Sequence, residues 1–523
     1  MENKYLRAED LSEYSKDELI SKVIDLQNDV LYGKEQIAML KNQLFGRKTE
    51  KTKYIFEDNQ LALGDFNEAE AIADKAPEEP EKIVVTYSRK KKGKKEEDLS
   101  TLDATVINHE LSEEQLNEIF GEEEYYRLPD TVYKKVEIIP AKFEVEEHHV
   151  AVYKGEKSNK IIRADRPVEM FEKSIATPSL VSYILYNKYA NAMPLYRMER
   201  DISNYISISR QNMAHWVIKA SEMYLSLIYD RMHKELSACP VIQCDETPVN
   251  VSKDGRPAGS KSYMWVYRTS ERMNRPPIVL YDYEKTRHSD RPYEFLKEFN
   301  GYLMCDGFSG YEALGHKKPG LKIVNCLAHA RRPFADIEKS LKGYENESGS
   351  ISKEALSRIR KIYEVEGNLT DCSADERYTR RHQEIEPLIE AYFAWVKDTF
   401  NKVAPQSAIG KALAYSIYRE NNIKRFLEDG NIPIDNSASE RSIRPFTISR
   451  KNFVMIDTVS GAKASAIAFS IVETAKANNL NVYQYFKYLL TEIPKHMNET
   501  NLRFIDDLLP WSDSIPDLCK KKS

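Results

Sequence analysis

Apolar residues recur every three or four positions between residues 15 and 44, a spacing that predicts one long helix. Ser15 and Glu18 have the spacing of a capping box at its start. The apolar seam is narrow, which favours a two-stranded coiled coil, with packing on the same chain as the alternative. The seam consists of Leu19, Val23, Leu26, Val30, Ile37, Leu40 and Leu44.

The pattern then changes twice before residue 169. Residues 51–100 are polar and of mixed charge, which predicts a linker, so residues 1–50 are assigned to the zipper-like coiled coil. A basic run at 89–95 is either a phosphate contact or a solvated stretch. Residues 101–168 combine a short helix with strands around Pro140, which predicts a small α+β domain.

Residues 169–236 have helical periodicity throughout, with Thr177 and Pro178 at the start of the first helix. A short helix, a turn and a longer helix follow, which fits a helix-turn-helix. The longer helix is expected to begin at Ser207 or Ser209, and arginine, glutamine and asparagine near its start are the side chains that read base edges. A plain helical bundle gives the same pattern.

Short apolar runs after residue 236 predict strands. Three of them pair as a meander and are followed by a helix and a fourth strand, which indicates a mixed α/β domain with one sheet. The charged, helical block at 336–430 interrupts this domain, so its core has two parts, residues 237–335 and 431–480. Residues 481–523 are assigned to a helical tail.

Composition narrows the possible functions. A net charge of −5 argues against a generally basic nucleic-acid binder, so any DNA-binding surface must be local. Six cysteines without paired C-x-x-C spacing suit a reducing compartment. The first residues lack the apolar core of a signal peptide, and no apolar stretch reaches the length of a membrane helix, so a cytoplasmic protein is expected.

Two of the predicted strands end on carboxylates. CDETPV places Asp245 and Glu246 after an apolar run, and CDGFSGY places Asp306 after the fourth predicted strand. If these strands are neighbours, Asp245 and Asp306 face each other at adjacent strand ends. Carboxylates about 4 Å apart repel by roughly 4 kcal/mol at an effective dielectric near 20, so the pair shifts a pKa or binds a cation. Either residue alone is also a common turn former.

A third carboxylate is expected from a helix, and the best candidate is Glu440 in DNSASERSIRP. Pro445 is expected to end or kink that helix. Arg441 and Arg444 flank Glu440 on nearby turns. Carboxylates for divalent ions beside arginines for phosphate form the layout that two-metal phosphoryl transfer needs.

Several sequences, taken in order along the chain, resemble a known family. CDETPV, CDGFSGYEAL, NCLAHARRPF and DNSASERSIRPFTISRKN resemble motifs of the DDE transposases of insertion-sequence family sixty-six. MPLYRMERD and ISRQNMAHWV resemble the helix-turn-helix of that family, and LKNQLFGRKTEK resembles the end of its N-terminal zipper helix. The resemblance covers nearly the whole chain.

The resemblance implies an RNase H-like catalytic core, interrupted by a helical insertion, with Asp245, Asp306 and Glu440 as the acidic triad. The triad would hold two Mg²⁺ ions, which Mn²⁺ can replace, with Asp245 between them. The enzyme would cut transposon ends and join the freed 3′-OH to target DNA without a covalent intermediate. Double-stranded DNA is the expected partner, together with a homodimer or higher oligomer and small accessory proteins of the same element.

Other residues are candidates for secondary roles. The candidates for DNA contact are Arg210, Gln211, Asn212, His215, Arg441, Arg444, Arg450 and Lys451. The candidates for support of the active site, expected on a strand after Asp306, are Cys326, His329, Arg331 and Arg332. Cys326 and His329 have the spacing of half a zinc site, but no second pair lies nearby and no zinc is expected. Many family members carry paired cysteines before the helix-turn-helix, whereas residues 121–167 contain none.

Two other functions stay open. The first is a catalytically silent, sequence-specific DNA-binding protein, although such a protein has no reason to hold three carboxylates together. The second is an RNase H-like nuclease or resolvase that acts on branched DNA. Linear terminal-repeat substrates and four-way junctions would separate the second from a transposase.

Overall fold

The structure is a computed structural model. It describes residues 142–154, 161–165, 167–257, 259–341 and 350–521, with isolated positions between residues 15 and 30 and between 112 and 121. The chain forms two compact units, which consist of Met1–Lys48 with Arg166–Lys521, and of Thr49–Asp165 with Lys522–Ser523. The predicted linker and most of the predicted zipper helix lie outside the described residues.

The predicted capping box near the N-terminus is confirmed. The backbone N–H of Ser15 donates to Glu18 Oε2 (2.8 Å), and the N–H of Glu18 donates to Ser15 Oγ (3.3 Å). Among the described seam residues, Val23, Leu26 and Val30 are 57%, 66% and 51% exposed. The coiled coil itself stays a prediction, because most of its residues lie outside the described ones.

In the smaller unit, strand β1 (Val152–Lys154) pairs antiparallel with β2 (Ile161–Arg163). The prediction placed a hairpin farther upstream, with Phe143 and Val145 in its second strand. That placement is wrong for these two residues, because residues 142–150 form no strand. Alternation alone predicted the strand, and nothing shows a partner strand for Phe143 and Val145 among the described residues.

Helices occupy most of residues 178–237 of the larger unit, as predicted. The helices are α1 (Pro178–Leu185), α2 (Leu195–Ile202), α3 (Arg210–Ala220) and α4 (Ser226–Ser237). Thr177 caps α1 by accepting a hydrogen bond from Leu180 N (3.2 Å), and Ser209 caps α3 by accepting one from Asn212 N (3.3 Å). These caps confirm the predicted start of α1 and decide between the two candidates for α3.

One mixed sheet forms the centre of the larger unit. Its strands are β3 (Val241–Lys253), β4 (Lys261–Thr269), β5 (Val279–Glu284), β6 (Gly301–Cys305) and β7 (Leu321–Asn325). The order across the sheet is β5-β4-β3-β6-β7. The first three strands form the predicted antiparallel meander, whereas β6 and β7 run parallel to β3. The strand that ends at Asp306 is therefore the direct neighbour of the strand that carries Asp245.

A helix covers the open edge of β5. The helix α13 (Val459–Ala477) presents Ser470 and Thr474, whose hydroxyls accept hydrogen bonds from Tyr281 N (2.7 Å) and Val279 N (3.0 Å). Because an uncovered edge strand offers unpaired backbone groups to other chains, this contact closes the sheet on that side.

Helices fill the chain between β7 and residue 434. The helices α5 (Asp290–Phe295) and α6 (Ser309–Lys317) lie before β7 and do not belong to this segment. The helices of this segment are α7 (Leu327–Leu341), α8 (Ile351–Gly367), α9 (Ala374–Arg380), α10 (Glu386–Phe400) and α11 (Ala408–Lys424). The buried apolar side chains of α7, α8, α10 and α11 form one cluster with Val241, Met304 and Val324 of the sheet. The helical segment is thus packed onto the face of the sheet to which these three residues point.

The chain then returns to the sheet through α12 (Ser437–Phe453), which packs against β3 and β4. Pro445 lies inside α12, so of the two predicted effects it does not end the helix, and a kink at this position stays a prediction. A short strand, β8 (Ile456–Thr458), pairs with the far end of β3, and α14 (Val482–Glu492) and α15 (Phe504–Leu508) follow α13. None of the helices in the described residues is long and apolar enough to cross a membrane.

Candidate active site

The alternation of side chains along β3 sends Asp245 and Glu246 to opposite faces of the sheet. Asp245 shares its face with Val241, which packs into the core of the helical segment. Gln243 lies on that face too, and its Nε2 donates to Asp435 O (3.3 Å), just before α12. Asp245 therefore points toward the side of the sheet that carries α12 and the helical segment.

The environment of Asp245 disfavours its charged form. Burial raises the pKa of Asp245 well above its ordinary value, and the charges of Glu246, Glu440 and Asp306 raise it further. Its Oδ1 accepts a hydrogen bond from the backbone N–H of Glu246 (2.9 Å), which lowers the pKa in part. No ion pair joins Asp245 to a basic side chain of the described residues.

Asp306 lies directly after β6 and next to Asp245. The parallel register pairs Gln243 with Met304, so two residues farther along it aligns Asp245 with Asp306 on the same face. Asp306 Oδ1 accepts from Phe308 N (2.9 Å), and its carbonyl accepts from Asn325 Nδ2 (2.9 Å) at the end of β7. The predicted pairing of the two strands is confirmed, but the prediction that the first strand ends at Asp245 is wrong, because β3 continues to Lys253 and Asp245 lies inside it.

A buried asparagine connects the helix of Glu440 to the strand of Asp245. Asn436, 1% exposed, immediately precedes α12 and donates from Nδ2 to the carbonyl of Cys244 (2.8 Å). The N–H of Glu440 donates to Asn436 O (3.2 Å) one turn into the helix. This connection places Glu440 close enough to Asp245 for the charge of Glu440 to raise the pKa of Asp245.

Arg332 holds the Glu440 carboxylate, and His329 lies beside it. Arg332 Nη2 lies 3.0 Å from Glu440 Oε1, and His329 Nε2 lies 3.6 Å from the same oxygen. Burial lowers the pKa of His329, and the charge of Arg332 lowers it further. The prediction that His329, Arg331 and Arg332 lie on a strand is wrong, because β7 ends at Asn325 and these residues belong to α7. Helical spacing brings His329 and Arg332 together on one face.

Cys326 has a different partner from His329. Its Sγ accepts a hydrogen bond from the backbone N–H of Asn436 (3.1 Å), and burial raises the pKa of its thiol well above the ordinary range. Cys326 thus helps to fix the start of α12, while His329 faces Glu440. The half zinc site suggested by their spacing gains no support from these contacts.

The chemistry of the acidic side chains fits a hard divalent cation, which prefers carboxylate oxygens. Asp245 and Asp306 are aligned at one sheet edge without an ion-pair partner among the described residues, and a cation would offset their repulsion. The present side-chain positions do not form a completed site, since no group of three His, Cys, Asp or Glu residues in the described residues is arranged to hold a metal ion. The Glu440 carboxylate instead contacts Arg332, so an ion bound by all three acids would require that contact to change.

Glu246, which the sequence analysis did not assign to a site, is a buried ion-pair residue. Its side chain is 2% exposed, and its Oε1 accepts from Arg287 Nε (2.6 Å). Its Oε2 accepts from the hydroxyl of Tyr311, on the face of the sheet opposite Asp245. The alternation of side chains along β3 places Asp245 and Glu246 on opposite faces of the sheet, where they have different roles. The partner of Glu246, Arg287, is too distant in sequence to be found from a local pattern.

The predicted DNA-reading residues lie on α3. Arg210, Gln211, Asn212 and His215 are all exposed, and α2 packs against α3. The turn between the helices is fixed where Arg210 N donates to Glu199 Oε1 (2.9 Å). The two-helix arrangement agrees with the prediction, whereas base contact by these side chains stays a prediction.

The basic residues of α12 have unequal surroundings. Arg441 is exposed and pairs with Glu271 (3.1 Å), and Lys451 is exposed near the end of the helix. Arg450 is half-buried and donates to Thr247 Oγ1 (3.0 Å), which ties α12 to β3. Arg444 is half-buried. Arg450 therefore has a packing role. Phosphate contact by these four basic residues of α12 stays a prediction.

Comparison with known proteins identifies the class. Residues 173–464, more than half of the chain and including the whole sheet, match the family model described as Transposase IS66 family. Residues 470–511 match the IS66 C-terminal element, and residues 34–104 match a model described as Transposase C of IS166 homeodomain. The chain is thus a transposase by class. It belongs to the IS66 family of transposases.

The homeodomain match also bears on DNA binding. It supports DNA as a partner, and it covers the region that the sequence analysis treated as the end of a zipper and a linker. Similar proteins from Sinorhizobium fredii (strain NBRC 101917 / NGR234) include the uncharacterized protein y4jD, 27% identical over 74% of this chain and 76% of the relative. The uncharacterized protein y4hP is 23% identical over 91% of this chain and 87% of the relative.

Proposed function

We propose that the protein is a DDE transposase that cuts DNA at transposon ends and transfers the freed 3′-OH into target DNA. The observation that carries this proposal is that β3, which contains Asp245, pairs with β6, which ends next to Asp306, while α12, which contains Glu440, packs against β3. Asn436 connects that helix to the strand of Asp245. The same residues are the proposed catalytic and metal-binding triad.

The proposed core is RNase H-like. Its support is the strand order β5-β4-β3-β6-β7, in which an antiparallel meander is continued by two strands parallel to β3. The helical segment between β7 and α12 is the proposed insertion into that core. It separates Glu440 from the two aspartates in sequence while packing onto the same face of the sheet.

The proposed chemistry follows from the side chains. Bound Mg²⁺ or Mn²⁺ would supply positive charge against the phosphate and favour ionisation of the attacking water or hydroxyl. Asp245 must release its proton to serve as a ligand, and its raised pKa makes that step dependent on a cation or on higher pH. Arg332 orients the Glu440 carboxylate and adds a positive charge that a DNA phosphate could contact.

Replacement of Asp245 by Asn tests the proposal. The terminal repeats are taken from the DNA that flanks the gene, and cutting is followed with Mg²⁺ or Mn²⁺. We expect Asp245→Asn to reduce the cutting rate at least about a thousandfold, because a metal ligand contributes several kcal/mol and each 1.36 kcal/mol is tenfold in rate. Binding of the same DNA, measured by gel shift, should be unchanged.

Asp282→Asn is the matched control, because Asp282 is also a carboxylate of this sheet but lies on β5, away from the triad. It should keep its cutting activity. Equal cutting by wild type and Asp245→Asn would refute the triad. DNA binding without any metal-dependent product would indicate a silent DNA-binding protein, and a preference for four-way junctions over linear ends would indicate a resolvase.

Self-association through residues 15–44 belongs to the same proposal. Its support is the exposure of Val23, Leu26 and Val30 on the start of the predicted helix. Sedimentation of the chain without residues 15–44 should show a monomer where the full chain shows a dimer or larger assembly. An unchanged assembly state would refute this part.

A further inference from the structure

Arg287 connects the two segments that carry the aspartates of the candidate site. Its guanidinium donates from Nε to Glu246 Oε1 (2.6 Å), and Glu246 directly follows Asp245. The same guanidinium lies over the ring of Phe308, 3.7 Å from its centre. Phe308 in turn donates its backbone N–H to Asp306 Oδ1 (2.9 Å). Arg287 is thus fixed from two sides at the edge of the sheet where the aspartates lie.

The position of Arg287 differs from that of a buried counter-ion. Its side chain is 39% exposed, whereas that of Glu246 is 2% exposed. Its Nη1 has no hydrogen-bond acceptor among the described residues. Burial lowers the pKa of Arg287, but the charges of Glu246 and Asp306 outweigh this effect and raise the pKa overall. Arg287 therefore stays charged, lies within electrostatic reach of Asp306 and keeps part of its guanidinium accessible.

The accessible guanidinium of Arg287 supplies positive charge next to a site whose carboxylates are negatively charged. The carboxylates of Asp306 and Glu440 lie within electrostatic reach of Asp245, and their negative charge repels a DNA strand. A planar guanidinium that is already oriented by a carboxylate and an aromatic ring loses little entropy when it binds a phosphate. Arg287 has this preorganisation on the side of Asp306, as Arg332 has on the side of Glu440.

We propose that Arg287 binds a backbone phosphate of the DNA strand held at the site, next to the phosphodiester that is cut. This inference rests on the proposed function, because the ligand is the DNA of that reaction. Glu246 and Phe308 are then positioning residues, which orient the guanidinium without touching DNA. The competing explanation is that Arg287 only neutralises the buried Glu246.

The test combines Arg287→Gln with single neutral phosphates in the DNA. Terminal-repeat duplexes carry one methylphosphonate at a time at each phosphate around the cut, and cutting is measured under single-turnover conditions. One methylphosphonate should slow the wild type about 10- to 100-fold, the range expected for loss of a hydrogen bond to a charged group. Arg287→Gln should be slowed by a similar factor on unmodified DNA, and that methylphosphonate should slow it no further.

Arg291→Gln is the matched control, since Arg291 is 43% exposed, lies on α5 and pairs with Glu284 (3.4 Å). It should respond to every methylphosphonate as the wild type does. If Arg287→Gln does not fold, Arg287→Lys serves instead, because lysine keeps the charge but not the fork of the guanidinium. The proposal is overturned if the Arg287 variant cuts at the wild-type rate, or if it is as sensitive as the wild type to every neutral phosphate.

The same methylphosphonate duplexes can be used to measure DNA affinity. This measurement separates failure of this inference from failure of the proposed function. If the wild type binds the repeats but does not cut them, the proposed function fails. A loss of sensitivity at one phosphate in the Arg287 variant would then still support the phosphate contact. Equal sensitivity of both proteins would overturn it, and absence of DNA binding by the wild type would overturn both proposals.

Discussion

The helical segment pairs a buried carboxylate with a buried arginine, whereas the sheet edge leaves two aspartates without a basic partner among the described residues. Glu366 and Arg381 have side chains that are 3% and 0% exposed, and Arg381 Nη2 lies 2.6 Å from Glu366 Oε1. The remaining Arg381 donors are used as well, since Nη1 donates to the carbonyls of Phe426 (2.8 Å) and Asp429 (3.1 Å). This buried charge is fully partnered within the fold.

Asp245 is a buried carboxylate without such a partner. Its neighbours on the same face include Asp306 and Glu440, which carry the same charge and raise its pKa. The fold places arginines on Glu246 and Glu440 but none on Asp245 or Asp306 among the described residues. The proposed function accounts for this difference, because a bound cation would supply the positive charge that the two aspartates lack.

The largest expected effect on stability comes from removing Arg381, the partner of the buried Glu366. Without Arg381, Glu366 would be a buried carboxylate without its main partner, in the same situation as Asp245. Arg381→Met leaves Glu366 buried without its main cation and should lower the free energy of unfolding by about 3–5 kcal/mol. Urea unfolding measures this change. The double variant Glu366→Leu with Arg381→Met removes both charges and should regain most of the loss. A single variant that loses less than about 1 kcal/mol would contradict the assigned role of the pair.

A smaller effect is expected where the helical segment contacts the site. Arg419 of α11 donates from Nη2 to the carbonyl of Gly307 (2.7 Å), directly after Asp306. A Cβ on Gly307 would lie 2.5 Å from the Tyr415 hydroxyl and would also clash with Arg419 Nε. Gly307→Ala should therefore cost about 1–3 kcal/mol of stability, the usual range for overpacking, and should slow cutting by displacing Asp306.

Gly367→Ala is the control for this substitution, because an added Cβ at the end of α8 meets no atom within 4 Å. It should leave stability unchanged or slightly raised, with normal cutting. If Gly307→Ala cuts DNA as fast as Gly367→Ala, the contact between the helical segment and the Asp306 loop does not influence the site.

Much of the sheet could be predicted from local pattern. The apolar runs before Asp245 and Asp306 were correctly predicted as strands, and the parallel register confirms that these strands pair, but β3 does not end at Asp245 and continues to Lys253. The start of α3 at Ser209 was likewise visible in the residue types that cap helices. These features depend on neighbours within a few positions.

The errors have physical causes of two kinds. Residues 327–341 form a helix, and the buried positions Leu327, Ala330 and Phe334 recur at helical spacing, so the signal was present but was interpreted as a strand. The contacts of Glu246 with Arg287 and of Glu440 with Arg332 are of a different kind, because they join distant segments and depend on the completed packing. No local pattern predicts them.

The smallest expected effect is the pH dependence of stability at Asp245. The pKa of Asp245 is higher in the folded protein than in the unfolded chain, so the folded state holds its proton more tightly. Its contribution to stability is complete below its unfolded pKa of about 3.9 and is lost as pH rises through the folded pKa. Unfolding measured from pH 4 to 8 should therefore show a downward slope in the wild type that Asp245→Asn reduces.

Divalent ions should offset this loss of stability at high pH only if the deprotonated aspartates form the binding site. Added Mg²⁺ should raise the unfolding temperature of the wild type more at pH 8 than at pH 5, and should have little effect on Asp245→Asn. Asp282 is the control, since burial, followed by the charge of Glu284, raises its pKa to about 7. Asp282→Asn should lose its own share of the slope between about pH 4 and pH 7 yet keep the response to Mg²⁺. An equal response in all three proteins would show that the ion binds elsewhere, and the contrast between the sheet edge and the helical segment would then not reflect a metal site.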